Sequence, residues 1–173
     1  WRRASACEDR APMPAALRIA LIHATPLAVA PVNQAFERLW PEAVRMNLLD
    51  DSLSADLARD GRLTDAMVGR FETLARYARD CGCDGILFTC SAFGPAIEAA
   101  GRACGLPTFK PNQAMFDQAV AAGGRSALVA TFEPSIAPMR AEFEALCHAA
   151  GRPPALQTFV VPGAMQALGD GDA

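Results

Sequence analysis

Six short apolar runs, separated by stretches of helical periodicity, constrain this chain more than any other feature. They read "LRIALIHA" (17–24), "AVRMNLL" (43–49), "GILFT" (85–89), "LPTFK" (106–110), "SALVAT" (126–131) and "LQTFVV" (156–161). The first has no clean polar alternation, which marks a strand buried on both faces of a parallel sheet. In "PVNQAFERLW", Val32, Phe36, Leu39 and Trp40 share one helical stripe that Pro41 stops. Thr64 suits an N-cap for a helix carrying Met67, Val68, Phe71, Leu74, Ala75 and Ala78 up to about Asp80. "FGPAIEAAGRACG", "NQAMFDQAVAAGG" and residues 135–150 supply further helices, with Gly105 closing the first of them. The acidic stretch "DDSLSADLARDGRLT" (50–64) reads as a long loop with one helical turn.

Strand and helix alternate throughout, so the expected class is α/β with a parallel, doubly wound sheet. The pattern starts afresh after Asn112. This predicts a disordered extension over 1–16, a first α/β lobe over 17–112 and a second, shortened lobe over 113–173. Its last residues, "GAMQALGDGDA", read as a loop and the first turn of a helix that does not develop.

A content of 51% hydrophobic and 20% charged residues suffices for one sizeable core or two small lobes. The net charge is −3 and the 16 Lys and Arg are scattered, so neither nucleic acid nor an acidic membrane is an expected partner. No apolar stretch approaches the roughly 20 residues that span a bilayer, and no apolar signal segment follows the first arginines. The expected compartment is the cytoplasm. There Cys7, Cys81, Cys83, Cys90, Cys104 and Cys147 are expected to be free thiols. The Cys81-x-Cys83 pair lacks the second ligand pair of a structural zinc site, so no metal is expected. No phosphate loop of the GxGxxG or GxxxxGK[ST] type is present in the sequence, which excludes the common dinucleotide and nucleoside triphosphate sites.

In open parallel sheets, ligands collect beyond the carboxyl ends of the strands. Cys90 is the sharpest residue there. It ends a strand just before a helix, where free amides and the helix dipole are expected to lower a thiol's pKa, and where the amides of Ser91 and Ala92 could hold an oxyanion. The alternative is a small buried hydrophobe, as most free cysteines are. His23 ends the first strand and either activates the thiol or is simply satisfied by backbone. Lys110, beside Asn112, is either a solvated loop lysine or a cation for an anionic substrate. Cys81, Cys83 and Cys104 read as structural, and Cys147 as a thiol on a helix surface.

"GILFT" running into Cys90, Ser91 and Ala92, the opening "IALIHATP" and the restart "ALVATFEPS" resemble the aspartate/glutamate/hydantoin racemase superfamily. That group includes amino-acid and hydantoin racemases, maleate isomerases and arylmalonate decarboxylases. The resemblance covers about residues 17 to 165. It implies two similar α/β lobes with substrate between them, no cofactor, and a cysteine from each lobe, one removing and one delivering a proton next to a carboxylate. Cys90 is then the first lobe's acid/base, with Ser91 and Ala92 supplying amides. Thr25, Asn112 and Thr131 fall where the family contacts substrate, and Lys110 and Ser135 join them as candidate binding residues at strand exits. The expected partners are a small carboxylate-containing substrate, of amino-acid or hydantoin type, and further copies of the chain in a homo-oligomer.

Two departures qualify the resemblance. The glutamate racemase pattern carries aspartate and serine after the first strand, where this chain has "HATP", so glutamate is not the expected substrate. No counterpart of the second lobe's cysteine occurs before Ala173. A decarboxylase needs one protonating thiol, which makes a one-cysteine decarboxylase the alternative enzyme. A non-catalytic small-anion binding protein is the alternative outside enzymes.

Overall fold

The computed structural model describes residues 16–170; the extension expected over 1–16 lies almost wholly outside the described residues. Thirteen regular elements follow in the order β1 (Arg18–His23), α1 (Val29–Leu39), β2 (Val44–Leu49), α2 (Ser52–Asp60), α3 (Asp65–Asp80), β3 (Gly85–Phe88), α4 (Gly94–Cys104), β4 (Thr108–Phe109), α5 (Gln113–Ala122), β5 (Ser126–Ala130), α6 (Ile136–Ala149), β6 (Leu156–Val160) and α7 (Ala164–Asp170). The α/β class and the parallel sheet are as the alternation predicts. One sheet of four strands runs β2-β1-β3-β4, and a second pairs β5 with β6.

Strand parity decides what each sheet face meets. Ala20, Ile22, Ile86 and Phe88 point to one face and pack with Leu53 and Leu57 of α2, Met67, Phe71, Ala75 and Ala78 of α3, and Ala96, Ile97 and Ala100 of α4. The alternate residues face α1, where Asn33 bonds to Asn47 of β2. Thr64 caps α3, its hydroxyl accepting from the Met67 amide at 3.3 Å. Small residues on α4 let it lie close to the sheet: a Cβ added at Gly101 would meet the Thr108 side chain at 3.1 Å. Phe116, Val120, Leu128, Met139, Phe143 and Cys147 form a separate core under the second sheet. Cys147 is buried there, not on the helix surface, because it follows Met139 and Phe143 on the inner stripe of α6.

Three boundaries differ from the sequence reading. Residues 50–64 hold a full helix, α2, because Leu53 and Leu57 stand one turn apart and both find the main core, while Gly61 ends it with φ 64°. The fourth strand shrinks to Thr108–Phe109, since Pro107 has no amide to donate to a ladder. The terminal segment forms α7 over seven residues, longer than a single turn. No described helix is long and apolar enough to cross a membrane.

Candidate active site

The carboxyl ends of β1, β2 and β3 are in register. Ile22 pairs with Leu48 and Phe88, the Thr89 amide donates to the Ile22 carbonyl at 3.0 Å, and the Asp50 amide to the His23 carbonyl at 3.0 Å. After Phe88 the chain leaves the sheet through Thr89 and Cys90 and makes a 3-10 turn over Ser91–Phe93 before α4 begins. Phe88 and Phe93, on either side of Cys90 in sequence, both lie on Phe71, with ring centroids 5.1 and 4.9 Å away. Two aromatic pairs of this kind, each contributing about 0.5–1.5 kcal/mol beyond area, anchor the turn that carries the thiol.

That turn touches the equivalent turn of the second sheet, Glu133–Ser135, and the flank of α6. Phe132, at the exit of β5, packs on the first core together with Cys90. The two sheets therefore present their strand exits to each other, with Cys90, Ser91 and Thr25 half-buried in this zone and Thr131 exposed.

The thiol itself departs from the sequence expectation. Burial pushes Cys90 above the ordinary thiol value of 9.0, and the bonds from the Ala92 amide and the Ser54 side chain, which pull it down, do not offset this. The expected lowering fails for a structural reason. The α-helix dipole acts over the first turn, and α4 begins only at Gly94, beyond the intervening 3-10 turn.

His23 is fully buried. Its Nδ1 lies 2.9 Å from Thr89 Oγ1 and its Nε2 2.9 Å from Asn47 Oδ1. Since the Asn47 oxygen can only accept, Nε2 carries a hydrogen, and Nδ1 shares the second bond with the Thr89 hydroxyl. The imidazole thus ties three strand exits together on the α1 side, while Cys90 faces the opposite side, so His23 does not reach the thiol. Side chains, not backbone, satisfy it.

Lys110 is not a free cation. Its ammonium lies 2.7 Å from Glu142 Oε1 and 2.9 Å from Glu98 Oε1, and although burial opposes its charge, the two carboxylates raise its pKa above 10.5. Glu142 Oε1 meets it as an ion pair without hydrogen-bond alignment. Asn112 is buried, 3.5 Å from Glu142 Oε2. These residues lock α6 to the first sheet, and a substrate anion would have to displace carboxylates to reach the lysine. Ser135 is buried with its hydroxyl donated to the Phe132 carbonyl at 2.7 Å. The Thr25 hydroxyl accepts from the Leu27 amide at 3.4 Å, and its own proton remains free to donate. Thr131 Oγ1 lies 3.4 Å from Met165 Sδ.

Ser54, Asn47 and Glu142 were not legible as site neighbours. Ser54 was hidden because its segment read as loop; the Leu53–Leu57 spacing was the available signal. A cavity of about 680 Å³ lies on the α1 side between Phe36, Leu87 and Phe109 and does not include Cys90. Position at the strand exits, not volume, identifies the candidate site.

No protein-family model matches the sequence, and no curated protein matches it either. Among solved structures the chain is similar to glutamate racemase from Aquifex pyrophilus, with a TM-score of 0.66 and 14% identity over 86% of this chain and 57% of that one. The fold is therefore that of a glutamate racemase over the matched part. The chain spans less than two thirds of that protein's length.

Proposed function

We propose that this chain performs cofactor-independent proton transfer at a carbon next to the carboxylate or carbonyl of a small substrate, of amino-acid or hydantoin type, with Cys90 as acid/base. The observation that carries the reading is a half-buried thiol at the exit of a central strand, facing the strand exits of a second sheet, in a chain with the glutamate racemase fold. The α-hydrogen of a carboxylate is weakly acidic, so its removal needs a base held against it in a water-poor cleft. The Cys90 thiolate takes the proton and the electron pair moves onto the substrate's oxygens. The Ser91 amide and the hydroxyls of Thr25 and Thr131 are the groups that meet this charge. Inversion then needs a proton from the opposite face, which water entering the cleft supplies, while the Cys90 thiol gives its proton back to solvent. The two-lobe division at Asn112 belongs to the same proposal.

A second reading has its own support. Among the described residues no other thiol stands at a strand exit: Cys81 and Cys83 lie before β3, Cys104 ends α4, and Cys147 is in the second core. Burial also keeps Cys90 protonated near neutrality. That suits a decarboxylase of malonate-type acids, in which the carbon–carboxylate bond breaks, carbon dioxide leaves with the electron pair remaining on carbon, and the thiol protonates that carbon.

Chiral chromatography of amino acids and hydantoins, run beside carbon dioxide release from aryl and alkyl malonates, separates the readings. Cys90→Ala should reduce the observed turnover by about 10²–10⁴-fold, the usual contribution of a positioned acid/base. Ligand binding that survives Cys90→Ser, with no turnover by the parent protein in either assay, would instead identify a small-anion binding protein.

A further inference from the structure

The two edges of the four-stranded sheet differ. β4 is only two residues long and stands between Pro107 and Pro111, which blunts that edge. β2, at the other edge, is a regular six-residue strand, VRMNLL, without proline, glycine or lysine. Its one charge, Arg45, is drawn toward α1, where it donates to the Asn33 carbonyl at 2.9 Å and to Glu37 at 3.1 Å. The Val44 and Asp50 amides donate to the carbonyls of Leu17 and His23 on the β1 side. Strand alternation therefore turns the N–H and C=O groups of Arg45, Asn47 and Leu49 outward, and no strand among the described residues pairs with them.

We propose that this edge is a homodimer interface, in which β2 pairs antiparallel with β2 of a second copy about a two-fold axis beside Asn47. In that register Asn47 stands opposite the partner's Asn47 and Arg45 opposite the partner's Leu49, and each outward-facing pair exchanges both backbone N–H···O bonds. The axis repeats the Arg45–Leu49 pair on its other side, so the edge is self-complementary, as a two-fold contact requires. Met46 and Leu48, which pair with Ala20 and Ile22 and share their face over the main core, meet the partner's Leu48 and the partner's Met46.

Charge and closure select a second copy as the occupant. The entry of β2 carries Arg45 and its exit carries Asp50 and Asp51. Asp50 is taken by Arg70, whereas Asp51 is exposed and has no ion pair among the described residues. Antiparallel pairing sets Arg45 diagonal to the partner's Asp51, and the guanidinium has donors to spare beyond Glu37. Parallel pairing would set like charges side by side. Val44 and Leu49, 45% and 47% exposed in the single chain, are covered in the pair. Growth stops at two copies because the far edge of each sheet is the blunted β4.

The test joins sedimentation equilibrium to backbone hydrogen exchange of the parent protein, read by NMR at low and high concentration. A dimer is expected, and the Arg45, Asn47 and Leu49 amides should exchange at least about tenfold more slowly at high concentration. The Val44, Met46 and Leu48 amides, bonded to β1 in the single chain, serve as the internal reference. Leu49→Lys, a change at an exposed position, sets a cation opposite the partner's Arg45 twice per dimer and should weaken association about tenfold. A monomer at every concentration overturns the inference. So does association that leaves the three outward amides unprotected, which would put the interface elsewhere, or association that survives Leu49→Lys unchanged. Should Leu49→Lys fail to fold, the exchange pattern of the parent decides alone. Neither readout involves Cys90 or turnover, so the outcome is separate from the fate of the proposed activity.

Discussion

Cys90 shows how a residue's position and its chemistry are read by different means. Its place after an apolar run and before small residues was plain in the sequence, and the turn is where that pattern puts it. Its protonation was not, because desolvation depends on Phe88, Phe93 and Ala92 closing around it, and α4 starts too late to help. A buried thiol is a legible alternative in the sequence, but the extent of its desolvation depends on packing that only the fold supplies. The thiol's apparent pKa is therefore expected above 9.0, so alkylation and any proton abstraction by the free protein should rise through pH 9 and beyond. A profile levelling near pH 7 would contradict the account. His23 teaches the same lesson in reverse, since its partners Asn47 and Thr89 come from other strands, 24 and 66 residues away in sequence.

α2 is the element that carries most of the difference between expectation and structure. Its composition, rich in Asp and Ser, resembles a loop, and its tendency to be helical comes from two leucines that find Phe71 and its neighbours only after the sheet has formed. By contrast α3 announced itself through Thr64 and an unbroken apolar stripe. Leu53 is buried to 1% exposure, so Leu53→Ala should cost about 2–5 kcal/mol in chemical denaturation. It should also loosen Ser54 from Ala24. Gly61→Ala, at φ 64° with open space around it, should cost about 1 kcal/mol by strain alone. An unchanged midpoint for either variant would show that α2 is not packed as described.

At the scale of the whole molecule, one latch joins the two sheets: Lys110 after β4, Glu98 on α4 and Glu142 on α6. The side chains of Lys110 and Glu142 are only 17% and 11% exposed, so Lys110→Ala strands a mostly buried carboxylate and should cost about 2 kcal/mol, below the figure for a fully buried pair. The folded-state pKa of Lys110 is raised, so this stabilisation is complete below pH 10.5 and is lost as pH rises through the higher folded value. Denaturation midpoints of parent and variant should thus converge at high pH. The second sheet leaves Val129, Phe159, Val160 and Val161 exposed, and Trp40 and Phe109 are exposed near the first. Self-association is expected on this ground, and sedimentation showing a stable monomer at micromolar concentration would count against it.

The central claim is carbon-acid chemistry at Cys90. The most direct measurement is proton NMR in D2O, following the α-hydrogen signals of amino acids, hydantoins and substituted malonates. The account predicts loss of an α-hydrogen signal, or deuterium incorporation on decarboxylation, with parent protein and none with Cys90→Ala. Equal exchange by parent and Cys90→Ala, or no exchange by folded parent across the panel, would contradict it.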